Sequence, residues 1–344
     1  MDDRRQAPSP LDPLGALLAG GRSVVLDGGL ATELEADGAD LSDALWSARL
    51  LVEDPDAIVR AHLAFFRAGA QIAITASYQA TFEGFARRGI DRNAAVGLMR
   101  RSVRLAQDAR AVALAERGTA GERPLLVAAS IGPYGAFLAD GSEYRGDYGL
   151  AVPALRDFHR ERMAALLAAG PDLLACETIP EIDEGRALVD LLAELGGAGW
   201  LSFSCADGAR LRSGAPVEEA FALADGSPGV VAIGINCTAP EYALELVGRA
   251  VAVTGKPVVV YPNSGEAWDP AGRRWVAARV GAQAAGGTNA TVATRAAVGS
   301  ADADAVGAVS ARAWIAAGAR LVGGCCRVGP AQIAEIADAV DRAA

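Results

Sequence analysis

The sequence predicts a single-domain α/β protein of the (β/α)8 (TIM) barrel class. Two observations carry that reading: eight short apolar segments are spread along the chain, and a unit of amphipathic helix, glycine stop and apolar strand recurs between them. The segments are residues 23–26, 71–75, 125–129, 172–176, 200–203, 230–235, 257–260 and 319–322. A third observation separates the barrel from the runner-up, an open doubly wound sheet. No Gly-x-Gly-x-x-Gly or Walker-type phosphate loop follows any of these strands.

The recurring unit is clearest around the second segment. Asp54-Pro55 supplies a helix N-cap and first turn, and Ile58, Leu63 and Phe66 continue the helix. Ala68-Gly69-Ala70 ends it, and Gln71-Ile72-Ala73-Ile74-Thr75 follows as a strand. The same order returns where Met163 to Ala169 leads through Gly170-Pro171 into Asp172-Leu173-Leu174-Ala175-Cys176-Glu177. It returns again where Trp314 to Ala317 leads through Gly318 into Ala319-Arg320-Leu321-Val322. Residues 1–14 read as a flexible leader and 15–344 as the barrel. Residues 277–305, rich in Ala, Gly, Thr and Asp, read as a mobile insertion before the final helix and strand.

Composition sets the wider bounds. A chain of 344 residues with 51% hydrophobic content and a mean hydropathy of +0.21 can bury a substantial core. A net charge of −10 and a pI near 4.9 argue against a nucleic-acid partner, and the last hundred residues hold a single lysine, Lys256. No apolar run is long enough to span a bilayer, so no membrane partner is expected. An odd count of five cysteines, with a polar Met1-Asp2-Asp3-Arg4-Arg5 start and no signal-peptide pattern, points to a reducing cytoplasm. The expected assembly is a monomer or small homo-oligomer.

The chemistry gathers at the C-terminal ends of the strands, where barrels of this class place their active sites. Gly323-Gly324-Cys325-Cys326 follows the eighth strand, and adjacent thiols strain a mutual disulfide but suit one soft metal ion. Cys237 ends the sixth strand in the same way. Zn²⁺ on three thiolates, Cys237, Cys325 and Cys326, with a fourth position open, is an arrangement for holding and activating a substrate thiol. Cys176 and Cys205 read as buried apolar side chains, and His62 and His159 as structural residues of helices. Other strand ends offer Asp27-Gly28-Gly29, Thr75-Ala76-Ser77-Tyr78, Ser130-Ile131-Gly132-Pro133, Glu177-Thr178, Asn236 and Tyr261-Pro262-Asn263-Ser264. Gly28-Gly29 would let main-chain N–H groups approach a bound carboxylate.

Several motifs together resemble the homocysteine S-methyltransferase family over nearly the whole chain. They are Leu26-Asp27-Gly28-Gly29-Leu30-Ala31-Thr32-Glu33-Leu34, Gly234-Ile235-Asn236-Cys237 and Gly323-Gly324-Cys325-Cys326. Leu41-Ser42-Asp43-Ala44-Leu45-Trp46, Ile74-Thr75-Ala76-Ser77-Tyr78-Gln79-Ala80-Thr81 and Gly132-Pro133-Tyr134-Gly135-Ala136 are similar to the bacterial and plant branch that uses S-methylmethionine or S-adenosylmethionine. So are Asp140-Gly141-Ser142-Glu143-Tyr144-Arg145-Gly146 and Tyr261-Pro262-Asn263-Ser264-Gly265-Glu266.

That resemblance implies a (β/α)8 barrel with Zn²⁺ on Cys237, Cys325 and Cys326 and homocysteine sulfur bound at the metal. It implies that Asp27, Gly28 and Glu177 hold the amino-acid end of homocysteine, a carboxylate being a sensible partner for an ammonium. Trp46 and Tyr78 become candidates for the donor side, where a sulfonium rests against a π face, and Asn236 a candidate substrate contact. The implied reaction is attack of the activated thiol on the sulfonium methyl, giving methionine. The chain departs from the family around Arg273-Arg274-Trp275 and the Ala/Gly/Thr-rich stretch beyond it. Competing readings are a zinc or thiol redox-sensing barrel without transferase activity, and a methyltransferase using betaine or another donor or thiol acceptor. A Schiff-base aldolase is disfavoured, because Lys256 begins the seventh strand instead of ending one.

Overall fold

The computed structural model describes residues 13–18, 20–39, 47–117, 123–269, 274–277 and 306–343. The strands are β1 (Val24–Val25), β2 (Ile72–Ile74), β3 (Leu126–Ile131), β4 (Leu173–Ile179), β5 (Gly199–Phe203), β6 (Val230–Asn236), β7 (Val258–Tyr261), β8 (Glu266–Asp269), β9 (Arg274–Ala277) and β10 (Ala319–Val322). Eight of them form one parallel sheet in the order β1-β10-β7-β6-β5-β4-β3-β2. A parallel bridge between Leu26 and Ile72 closes the ring. There the Asp27 N–H donates to the Ile72 carbonyl at 3.1 Å and the Gln71 N–H to the Val25 carbonyl at 2.7 Å. The expected barrel is therefore what the chain builds. β8 and β9 stand apart as an antiparallel hairpin after β7.

Period-two alternation explains how the barrel fills. Leu126, Ala128, Leu173, Ala175, Trp200, Ala232, Val259 and Leu321 form the inner cluster, joined by Leu14 and Leu17 of the first helix, Pro13–Leu18. Their neighbours Val127, Leu174, Leu201, Ile233, Val258 and Val322 belong to the larger cluster beneath the helices. The helices cover this outer face. In Pro55–Arg67 the Asp54 side chain accepts from the Ala57 N–H at 3.1 Å and proline opens the first turn; Ile58, Ala61 and Phe65 are buried.

All eight expected segments are strands, but β3, β4 and β6 run further than their apolar residues do. Glu177 and Thr178 lie inside β4 and Asn236 is the last residue of β6. These polar residues stay in the sheet because hydrogen bonds satisfy them there. Residues 1–12 of the expected leader lie outside the described residues, and the first helix begins at Pro13. Of the expected insertion only Ala277, the end of β9, is described. Among the described residues no helix is long and apolar enough to cross a membrane.

Candidate active site

The inward parity of the strands changes character at the C-terminal mouth. Continuing Leu126 and Ala128 gives Ser130, continuing Leu173 and Ala175 gives Glu177, and continuing Trp200 gives Ser202. Ala232 leads to Asn236 and Val259 to Tyr261. All five are buried, so the barrel's top layer is polar.

Hydrogen bonds knit this layer together. The Glu177 carboxylate accepts from the Ser130 hydroxyl at one oxygen and from the Tyr261 hydroxyl at 3.1 Å at the other. The Trp200 Nε1–H donates to the Tyr261 oxygen at 2.9 Å, and Ser202 Oγ lies 2.7 Å from the same atom. Asn236 Oδ1 accepts from Ser202 Oγ at 2.8 Å. Burial pushes the Glu177 carboxyl up to about 7 despite its two donors. Asp27 is fully buried and is also raised well above the usual carboxylate range, mainly by burial. Its Oδ2 accepts from the Ile74 N–H at 2.7 Å, while Oδ1 has no protein partner. A buried acceptor left in that state costs on the order of 1–3 kcal/mol, which a ligand N–H would offset.

Above this layer lie the sulfurs. Cys237 Sγ is 3.7 Å from Cys326 Sγ, which is 4.0 Å from Cys325 Sγ, and all three lie within 4.8 Å of one another. Two thiolates on tetrahedral zinc, each at about 2.3 Å from the metal, would stand about 3.8 Å apart. The three thiols are free and their spacing fits one such ion. Among the described residues they are the only group placed to hold a metal. The neighbouring Cys325 and Cys326 thiols hold Cys237 well below the usual thiol range and are themselves pushed up.

Local backbone conformation aims these groups. Thr178 and Cys237, directly after Glu177 and Asn236, have φ of +63° and +49°, so each strand turns off its alternation at the mouth. The Asn236 amide accepts from the Thr178 N–H at 2.7 Å and donates to Thr178 Oγ1 at 2.8 Å. It also approaches Cys325 Sγ at 3.9 Å. The Cys325 N–H donates to the Pro262 carbonyl at 2.8 Å and the Ser264 N–H to the Cys326 carbonyl at 3.0 Å, fixing the loop after β10. A Cβ at Gly28 would lie 2.3 Å from the Val328 carbonyl oxygen, and one at Gly29 2.6 Å from the Cys325 carbonyl oxygen. The paired glycines thus let the turn after β1 lie against the cysteine loop. The Gly29 N–H is spent on the Val328 carbonyl at 2.9 Å.

Tyr78 enters from the loop after β2. Its ring covers Gly132, where an added Cβ would meet ring carbon at 2.7 Å. The buried Arg162 guanidinium donates to the Gly132 carbonyl at 3.0 Å, the Ser77 carbonyl at 3.3 Å and the Tyr78 carbonyl at 3.0 Å. Trp46 lies outside the described residues. The structure therefore gathers Asp27, Gly28, Tyr78, Glu177, Asn236, Cys237, Cys325 and Cys326 at one mouth. Cys176 and Cys205 are buried and not part of the cluster, and burial pushes both thiols up to about 12. His62 is buried in its helix, and His159 is hydrogen-bonded to Glu184 at 2.8 Å.

Two residues were not singled out by their own chemistry in the sequence. Tyr144 Oη lies 3.7 Å from Cys237 Sγ, and the Arg212 guanidinium stands 5.5 Å over the Tyr144 ring. Neither lies at a strand end, and only the Asp140-to-Gly146 motif hinted at Tyr144.

A closed parallel barrel with three convergent thiols and buried carboxylates at its C-terminal mouth defines a thiol-centred enzyme site of the (β/α)8 class. The chain belongs to the homocysteine S-methyltransferase family, whose profile matches residues 24–340. It is 48% identical to homocysteine S-methyltransferase of Escherichia coli (strain K12), over 94% of this chain and 97% of that one. It is 47% identical to homocysteine S-methyltransferase 4 of Zea mays, over 97% and 95%. The crystal structure of the metallated form of the homocysteine methyltransferase MmuM from Escherichia coli superposes with a TM-score of 0.80. The identity there is 46%, over 95% of this chain and 99% of that one.

Proposed function

We propose that the protein transfers a methyl group from a sulfonium donor, S-methylmethionine or S-adenosylmethionine, to the thiol of homocysteine, giving methionine. One observation carries this reading: three free thiols at zinc-ligand spacing stand beside two buried carboxylates, one of which has an oxygen without a protein partner. Cys237, Cys325 and Cys326 would hold Zn²⁺, which when bound supplies acidification of a substrate thiol at neutral pH.

The remaining work falls to the chain's own groups. Asp27 and Glu177 receive the α-ammonium of homocysteine; Ser130 and Tyr261 fix the Glu177 carboxylate for that task. Asn236 steadies Cys325 and the strand ends, acting on the ligand set and not on substrate. Tyr78 borders the donor side with its ring, and Trp46 remains a candidate there. The new S–C bond forms as the donor's C–S bond breaks in line. The departing electron pair stays on the donor sulfur, and the thiol proton leaves to solvent. Burial of the polar layer keeps water away while opposite charges meet. Five thiols without a disulfide among them suit the cytoplasm.

The test is methionine formation from homocysteine by zinc-loaded protein, with S-methylmethionine, S-adenosylmethionine and betaine offered separately, with and without chelator. Chelator-sensitive turnover with a sulfonium donor is expected. Turnover with betaine alone, or none despite bound zinc, would overturn the reading.

A further inference from the structure

We propose that Glu143 is the residue by which the site selects a positively charged methyl donor, its carboxylate serving as counter-charge to the sulfonium. The inference deepens the proposed reaction and rests on it. Glu143 is 7% exposed, yet its Oε2 has no hydrogen-bond partner. A buried acid in that condition is costly unless a cation meets it.

Its loop is held firmly. Asp140 accepts from the Ser142 N–H at 2.9 Å and from the Ser142 hydroxyl, and Arg145 donates to Ser142 Oγ at 2.9 Å. Gly135 allows the loop backbone to come close, since a Cβ there would lie 2.4 Å from the Glu143 nitrogen. The next residue, Tyr144, reaches Cys237 Sγ at 3.7 Å, so the loop lies against the sulfur cluster. The Glu143 carboxyl is pushed up to about 7 by burial, with the Cys237 sulfur adding to the rise. Glu143 in turn helps raise the Tyr78 phenol. Glu143, the Tyr78 and Tyr144 rings and the Cys237 sulfur thus lie near enough to feel one another's charge.

The charge difference between the two states of the donor gives this placement its use. Before transfer the donor sulfur carries a positive charge; afterwards it is a neutral thioether, because the methyl has left and the electron pair has stayed behind. A carboxylate at Glu143 attracts the first and not the second, favouring donor entry and product release. It also passes over neutral thioethers of similar shape.

Two variants test the idea in zinc-loaded protein, by steady-state kinetics and by equilibrium binding of S-methylmethionine and methionine. Glu143→Gln keeps the shape and removes the charge. It is expected to raise the KM for S-methylmethionine at least tenfold and to cut the S-methylmethionine to methionine affinity ratio by a similar factor. The homocysteine KM and the zinc content should stay within twofold. Glu143→Asp, which keeps the charge, should retain the preference for the sulfonium. A Gln variant with the wild-type affinity ratio would overturn the assignment, as would equal losses for both ligands in the two variants. Wild-type protein that binds no sulfonium would instead overturn the proposed reaction.

Discussion

Asn236 grips Thr178 at both ends: its Oδ1 accepts from the Thr178 N–H at 2.7 Å and its Nδ2 donates to the Thr178 hydroxyl oxygen at 2.8 Å. This joins the end of β6 to the end of β4 across β5. Glu177 stands on one side of the joint and Cys237 on the other. It also sustains the left-handed backbone at Thr178, which has no glycine to relieve it.

Asn236→Ala is therefore expected to leave a buried N–H unsatisfied and to cost roughly 2 kcal/mol or more. Urea unfolding at fixed zinc loading should show the lower midpoint. Zinc affinity should drop about tenfold as Cys325 loses its neighbour. An unchanged midpoint would show that the joint is dispensable.

Cys326→Ser should lower bound zinc from one ion per chain to near none and abolish turnover, with far-ultraviolet circular dichroism unchanged. Metal analysis after dialysis decides it. Stoichiometric zinc retained at full activity would remove the three-thiolate site.

Gly28→Ala tests the close packing beneath that site. An alanine Cβ would sit 2.3 Å from the Val328 carbonyl oxygen and 2.8 Å from the Phe65 ring. The loop carrying Cys325 and Cys326 must shift, so a loss of about 1–3 kcal/mol in stability is expected. Weaker zinc retention in a competition titration should accompany it.

Glu177 links the site to pH. Its carboxyl sits at about 7 in the ligand-free protein, and an ammonium prefers the ionised form, so homocysteine affinity should improve as pH rises from 6 to 8. Glu177→Gln should raise the homocysteine KM at least tenfold and remove this part of the rise. A variant with the wild-type pH profile and KM would take Glu177 out of substrate binding.

Away from the mouth, Glu184 is buried beside His159 and accepts from the Tyr134 N–H at 2.6 Å, and burial pushes its carboxyl up to about 8. The folded state therefore holds a proton that the unfolded chain releases near 4.5. This contribution to stability is complete below that pH and is lost as pH rises toward 8, by at most about 1.4 kcal/mol per unit. Glu184→Gln should flatten the decline in unfolding free energy between pH 5.5 and 8. An equal decline in both proteins would assign it to other groups.

The eight strands and the three thiols were legible from the chain because both signals are local. Apolar runs ended by glycine announce strands, and a Gly-Gly-Cys-Cys turn announces soft ligands whatever it packs against. Asp27, Glu177 and Asn236 were legible for the same reason, as polar residues where apolar runs stop. Their partners were not. That Ser130 and Tyr261 share the Glu177 carboxylate follows from inward parity on three separate strands of a closed ring.

Glu143 and Tyr144 sit on a single 3-10 turn, Ser142–Tyr144, and Arg212 in a loop, where no periodicity points a side chain anywhere. Tyr144 is 93 residues from Cys237 in sequence, yet its hydroxyl meets that sulfur. The chain alone specified the eight strands of the barrel, the apolar face of each and the residues near their ends, since side-chain alternation and turn chemistry act within a few residues; the β8–β9 hairpin carried no such signal. Only the tertiary structure decided which of those ends meet and which loops fold over them. Those contacts depend on barrel closure and on close approaches, such as that of the Glu143 backbone to Gly135, that no neighbouring residue encodes.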